Sequence, residues 1–348
     1  MTALFWDGFN HDVDASLAFR YRDISAGVSI TASGRDSTNG LTGSSDADSL
    51  ILDVDPATTN EGVQNLALFC SSLPSSAHGL MQVLAAGDVP ILSLVLETDG
   101  TLTIRNGDVS GSVLGTTASL ITTSTWHDLE WRWHLAFGLN GTSVLKVNNA
   151  VRLNLFDLSN SAVAWVAVKW FPGNLIFDDL AVFDGQIMLG PQRVLTSYAG
   201  SDGARVDWTA SAGPERFQDI DETPHDGDTT YIWADANQQR STFIFASFDE
   251  LLLESVTAVA LHAIARESGP LGTKIRHLTR IDAIDDPIPG VADAQELTAD
   301  YAEYTYRWNT NPRTGIAWLI GEVNAAEWGI ERVSDDGGFD SGFSPGYS

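Results

Sequence analysis

Leu129-Glu-Trp-Arg-Trp-His-Leu-Ala-Phe137 carries the period of a β-strand. Leu129, Trp131, Trp133, Leu135 and Phe137 fall on one side of an extended chain; Asp128, Glu130, Arg132, His134 and Ala136 fall on the other. Side chains reverse at every residue of a strand, so the pattern predicts one face on a core and one wetter face. The flanking sequence is of the same kind. Asp99-Gly100 and Asn106-Gly107 bracket residues 101–106, and glycine accepts the positive φ that a tight hairpin turn demands. Asn140-Gly141 leads into 143–147, and Asn148-Asn149 turns the chain into Val151, Leu153 and Leu155. Strands at 162–171 and 174–183 complete an antiparallel meander over residues 99–185.

Residues 1–98 add short apolar runs at 50–52, 65–69, 80–84 and 91–96, and an alternation at Leu17, Phe19 and Tyr21. Residues 33–49 read as an exposed Ser/Gly/Asp/Thr loop. Past Gly185 the character changes. Residues 188–192 read as a linker, and strands recur at 193–198, 204–209, 231–233, 241–246, 255–265, 274–281, 302–308 and 328–333, with one helix at 319–326. The run 255–265 is apolar or small on both faces, as in a central strand covered on both sides. Tyr304, Tyr306 and Trp308 share one face. The expectation is an all-β protein with two β-sandwich (jelly-roll-like) domains in tandem, at 1–187 and 193–334, followed by a Gly/aromatic tail at 335–348.

Composition narrows the function classes. The chain has 348 residues and 43% apolar content, enough to fill more than one core. Its formal charge is −27 and its lysines are Lys146, Lys169 and Lys274, so no basic stripe exists to read nucleic acid or to bind an anionic membrane. Cys70 is the sole cysteine, which removes intrachain disulfides and cysteine metal sites, and its apolar surroundings mark it as a small buried hydrophobe. The N-terminal residues lack a basic n-region and a cleavage site, and the longest apolar run, 251–265, is too short to span a bilayer. These features lead to the expectation of a chain made in a cytoplasm, without membrane insertion.

Leu102-Thr-Ile-Arg-Asn-Gly107, the strand opening at Trp126-His127, the Val147-Asn-Asn149 hairpin and the closing Phe177-Asp-Asp-Leu-Ala-Val-Phe183 together resemble the concanavalin A-like lectin/laminin-G jelly roll. That resemblance covers about half of the chain and implies a sandwich used for glycan binding, protein binding, glycan hydrolysis or particle decoration. Asp219-Ile-Asp-Glu-Thr-Pro-His-Asp-Gly-Asp-Thr-Thr-Tyr231, residues 256–266 and Ala317-Trp-Leu with Val323-Asn-Ala-Ala-Glu-Trp-Gly-Ile-Glu331 resemble a domain of tailed-bacteriophage virion proteins. The two resemblances imply a non-enzymatic structural protein on the outer surface of a phage particle, in the virion. Its partners would be other virion proteins, copies of itself and a host surface glycan. The alternatives are a soluble carbohydrate-binding module of a bacterium and a concanavalin-fold glycanase.

Candidate site residues follow from this. Trp6, Trp170, Trp233 and Trp308 are the candidate glycan platforms, against the plain alternative that strand tryptophans fill cores. Asp219, Asp221, Glu222, Asp226 and Asp228 crowd one loop, where calcium is the metal such oxygen donors would take. The spacing departs from an EF-hand and Pro224 interrupts it, so a solvated acidic loop competes; no other cofactor is implied. Asp178 and Asp179, as neighbours in a strand, are expected on opposite faces. Asp128-Leu-Glu130 lacks the second glutamate of a sandwich-glycanase signature, and Asp128, Glu130, Arg132 and His134 read as a solvated face. No nucleophile elbow, zinc-binding helix or Walker loop occurs. In the tail, Phe339, Phe343 and Tyr347 are candidates for an assembly contact on a neighbouring subunit, or for folding back on their own domain.

Overall fold

A computed structural model describes residues 3–9, 17–18, 20–54, 60–136, 138–159, 164–222, 226–249, 255–268, 272–287 and 294–334. The chain divides into two compact units, residues 1–196 and 197–348. Both are antiparallel β structures, as the alternation and turn signals require.

The strands of the first unit are β1 (Ala3–Asp7), β2 (Asp23–Ile24), β3 (Ser29–Thr31), β4 (Gly40–Thr42), β5 (Leu50–Asp53), β6 (Glu61–Phe69), β7 (His78–Ala85), β8 (Val89–Leu96), β9 (Leu102–Asn106), β10 (Ser112–Thr116), β11 (Trp126–His134), β12 (Gly141–Val147), β13 (Ala150–Leu158), β14 (Ala167–Trp170) and β15 (Ile176–Asp184). One sheet runs β13-β12-β11-β6-β15-β4-β3, with β1 also paired to β15; the other runs β10-β9-β8-β7-β14-β5-β2. The turns behave as their residues dictate. Asn148 and Asn149 both adopt positive φ (51° and 62°), giving the two-residue turn between β12 and β13. Gly100 and Gly107, at φ 82° and 83°, reverse the chain on either side of β9.

The core lies between the two sheets. Trp131, Trp133, Leu66, Leu68 and Phe177 from the first sheet meet Met81, Val83, Leu92, Leu94 and Trp170 from the second. Each large apolar side chain so buried contributes about 1.5–3 kcal/mol. Trp133 stacks edge-on to Trp165, ring centroids 5.2 Å apart, and beside Trp131 at 5.5 Å. Gly62 faces this cluster because nothing larger fits: a Cβ there would stand 2.3 Å from the Trp133 ring and 2.9 Å from that of Trp165. On the same inner face Gln64 is fully buried with neither end of its amide hydrogen-bonded.

The second unit comprises β16 (Ala199–Val206), β17 (Thr209–Ala210), β18 (Ile232–Trp233), β19 (Arg240–Phe245), β20 (Val259–Ala265), β21 (Thr273–Ile281), β22 (Ile284–Pro287), β23 (Gln295–Glu296), β24 (Ala302–Trp308), the short helix α1 (Ile320–Ala325) and β25 (Glu327–Ser334). A sheet of order β16-β19-β25-β21-β22, with β23 beside β21, packs against the two-stranded sheet β20-β24. Trp308, Trp318 and Trp328 interlock between them, with centroid separations of 5.2 and 5.4 Å about Trp328. On the other face of the larger sheet, Asp285 binds Arg205, Arg240 and Arg280, and Glu331 binds Arg240 and Arg276.

Several expectations change. Residues 33–49 are not an exposed loop throughout, because they contain β4 with Leu41 fully buried. The alternation at Leu17 and Tyr21 is not a strand, because Arg20 N and Tyr21 N donate to Leu17 O in a tight turn. β20 is not a central strand: it pairs with β24, and the two face the core with one side while His262, Glu303 and Thr305 cluster on the other. Small side chains on both faces imitated a doubly covered strand. Residues 188–192 are not a free linker, because Gly190 and Val194 bond back to the first unit, and the boundary falls at 196/197. Residues 193–198 form no strand. Phe19, Phe137, His11, His225 and the tail, with Phe339, Phe343 and Tyr347, lie outside the described residues.

Two substitutions check the core. Gly62→Ala should destabilise the first unit by about 1–3 kcal/mol through overpacking against Trp133. Gln64→Met should stabilise it by about 1–3 kcal/mol, since an unpaired buried amide is replaced by an apolar group of similar size. Urea unfolding followed by tryptophan fluorescence reads both.

Candidate functional site

The outward face of the larger sheet of the first unit gathers charged side chains from several strands. It follows from the alternation of β11: with Trp131 and Trp133 inward, Asp128, Glu130, Arg132 and His134 must point out. Register sets their neighbours. Glu130 lies opposite Asn65 on β6 and Lys146 on β12; Asp128 lies opposite Ala67, which in turn lies opposite Asp178 on β15.

A bulge overturns the expectation for the Asp178-Asp179 pair. The register between β15 and β6 shifts between Asp178 and Ala181, and Asp179 adopts φ 51°. The extra residue turns Asp179 to the same face as Asp178. The bulge sits where β15 changes partner, from β4 at Ile176 and Phe177 to β1 from Leu180 onward. Asp178 then accepts hydrogen bonds from Arg35 N (2.8 Å) and Thr38 Oγ1 (2.9 Å), and Asp179 accepts one from Val194 N (2.8 Å). Arg193 Nε stands 3.2 Å from Asp179 Oδ2, and the Arg35 guanidinium bridges Asp128 and Asp179.

The face is therefore not solvated along its length. Residues 186–194 cross it as a strap. Arg132 donates to Gln186 O, Gln186 donates to Glu61, and Gly190 N donates to Glu130 Oε1 at 2.9 Å. Glu130 Oε2 meets Lys146 Nζ at 2.9 Å, leaving the Glu130 carboxylate 4% exposed. Burial and the adjoining Asp178 carboxylate push Asp179 up to about 7, against the opposing pull of Val194 N–H, Arg193 and Arg35. Burial raises Asp178 as well.

Beside the strap, whose Gln186 reaches Glu61 at one end, a more open row remains. Phe156 follows the inward Leu155 on the edge strand β13 and is 60% exposed. The shift between Gly141 and Ser143 sets Thr142 against Phe156 and Asp157; Thr142 lies opposite His134, and His134 opposite Glu61. His134 Nε2 is 3.8 Å from Glu61 Oε1, with both side chains about 30% exposed. An aromatic ring, a hydroxyl, an imidazole and a carboxylate thus cross four adjacent strands, a span of about 14 Å at the usual strand spacing.

The sequence-named residues fare unevenly. Trp170 is fully buried and Trp308 is 6% exposed; both are core rings, so neither is a sugar platform. Trp233 is exposed in the second unit, and Trp6 is half-buried on β1, opposite Ala181 and in line with Asn65. The loop aspartates do not converge. Asp219 is buried and accepts from Ser211 Oγ and Ala212 N, Asp226 from Thr230, and Asp228 from Arg266 and Tyr301, while Asp221 is exposed. Glu222 and Asp226 both accept from Thr230 Oγ1, while the oxygens of Asp219 and Asp228 accept from other groups, which does not fit a calcium cage; among the described residues no three His, Cys, Asp or Glu side chains group to hold a metal. In the second unit, burial holds His277 down to about 4, stacked on Tyr306. The sequence did not point to Phe156 or Asn65; the positive-φ bulge at Asp179 had no marker either, since aspartate is common in regular strands' ends and turns alike.

No family model matches this chain, and no curated protein matches it. Solved structures do. Trypanosoma rangeli sialidase bound to the inhibitor DANA matches at 12% identity and TM-score 0.35 over 46% of this chain and 27% of its own. The endo-β-1,4-glucuronan lyase of Trichoderma reesei matches at 14% and 0.42 over 56% of this chain and 100% of its own. Domain 4 of a GH43 extracellular arabinanase of Geobacillus stearothermophilus, in complex with arabinotriose, matches at 13% and 0.40 over 54% and 94%. The expectation of a non-enzymatic structural protein of a phage particle is corrected by these three, which are named as a sialidase, a lyase and a domain of an arabinanase and not as particle components.

The Asp179 shift gives a pH test. A carboxyl with a folded pKa near 7 and an unfolded one near 3.8 favours folding most below pH 3.8, and that contribution is lost as pH rises through 7. The first unit of the wild type should therefore lose more stability between pH 5 and pH 8 than Asp179→Asn does, a gap of a few degrees in the melting midpoint. Scanning calorimetry across that range measures it.

Proposed function

We propose that the first unit recognises a polysaccharide along the open row of its larger sheet. The observation that carries this reading is the alignment of exposed Phe156 with Thr142, His134 and Glu61 across four strands. An aromatic face offers an apolar platform to a sugar ring, and the polar groups beside it offer donors and acceptors to hydroxyls. The row is long enough for several sugar units. With a formal charge of −27, the chain repels polyanions, so a neutral glycan is the favoured ligand.

A glycan-cleaving role has one observation in its favour, the half-buried His134–Glu61 contact of 3.8 Å. A carboxylate beside an imidazole can hold and pass a proton, which cleavage of a sugar linkage requires. The pair sits inside the same row, so binding and turnover would share a surface.

The test is retention of the full chain on a panel of insoluble and gel-embedded neutral and anionic polysaccharides, with product release measured in parallel. Retention on a neutral glycan is expected. Phe156→Ala should weaken it about tenfold, in keeping with about 1.4 kcal/mol for a lost ring contact. Glu61→Gln should weaken retention less than Phe156→Ala does, because the amide keeps a hydrogen-bonding end in the row, and should abolish any product release. No retention on any polysaccharide, or retention indifferent to Phe156→Ala, would refute the reading.

A further inference from the structure

Beneath the strap lies a cavity of about 10 Å³, lined by Asn65, Asp128, Glu130, Asn149, Pro191 and Gln192. That is room for one small guest. Asn65 is 3% exposed, and neither its Oδ1 nor its Nδ2 has a hydrogen-bond partner in the protein. Its strand position explains the arrangement. Asn65 pairs with Glu130 on one side and Ala181 on the other, so its amide rises into the gap between the sheet and the strap segment that Gly190 pins to Glu130.

We infer that this cavity is a binding site for a single water molecule, which joins Asn65 to the Glu130 carboxylate beneath the strap. The chemistry of the lining selects the guest. A primary amide presents one acceptor and two donors, and a hydroxyl-type guest can donate to Oδ1 while accepting from Nδ2. A cation would satisfy Oδ1 and leave the Nδ2 hydrogens facing positive charge. The two carboxylates are in any case already neutralised, Glu130 by Lys146 and Asp128 by Arg35. An anion would meet both carboxylates. Glu130 retains lone pairs beyond those used by Gly190 N and Lys146, so it can accept the guest's second hydrogen. The residues under the strap are separate from the open row, so the guest would be held whether or not a glycan binds.

High-resolution crystal structures of the wild type and of Asn65→Leu test it. The wild type should show one guest oxygen about 2.7–3.2 Å from both amide atoms of Asn65, and the variant should show none there. Oxygen-17 relaxation dispersion in solution should count one fewer long-lived water in the variant. Should Asn65→Leu fail to fold, the wild-type structure alone decides. A guest with oxygen contacts near 2.4 Å, the signature of a bound hard cation, would overturn the inference. So would a closed cavity in which the Asn65 amide bonds directly to protein groups.

Discussion

Trp131 and Trp133, two residues apart on one strand, must both be covered, and the first unit is arranged to cover them. Their rings occupy the space between two sheets, and that demand fixes the register of β11 absolutely: a slip of one residue would bury Glu130 and Arg132 instead. It also fixes what the opposing strand can carry. Gly62 stands opposite Trp133 because a single methyl group would collide with the indole. From these constraints the outward direction of Asp128, Glu130, Arg132 and His134 follows without further choice.

The outward face then poses an electrostatic problem, because it gathers Asp128, Glu130, Asp178 and Asp179 in one region of a strongly acidic chain. The solution is local. Arg35, Arg193 and Lys146 supply compensating charge, while backbone N–H groups of Gly190, Val194 and Arg35 bind the carboxylates directly. The second unit does the same, with Asp285 and Glu331 held among Arg205, Arg240, Arg276 and Arg280. The chain has 19 Lys and Arg against 46 Asp and Glu, so placing arginines beside buried carboxylates leaves the excess acid to the surface. Removing one partner of such a buried pair strands the other, which makes these pairs conspicuous features of the fold even where their net contribution is small.

Covering part of the face defines what is left for ligands. Residues 186–194 screen the carboxylates from water, and the uncovered strip at the β13 edge keeps an aromatic ring and three polar side chains within reach of solvent. A site that lies on strands rather than on loops is held rigidly by its ladder. The division into a closed, charged half and an open, mixed half gives the sheet face two distinct environments.

The residue pattern alone settles the strand class, the inward set on β11, the Asn148-Asn149 turn and the short helix before β25, because each depends on periodicity or turn chemistry read over a few residues. It marked Asp128, Glu130 and His134 as outward for the same reason. It did not determine which outward residues stay wet. Asp178 and Asp179 share a face because of a bulge where one strand exchanges neighbours, Trp170 and Trp308 are buried because the opposing sheet arrives there, and 188–192 lies on the sheet because Glu130 and Asp179 capture its backbone. Those outcomes depend on contacts between residues from about 15 to 140 positions apart, and local pattern carries no information across such separations; only the packed tertiary structure brings them together.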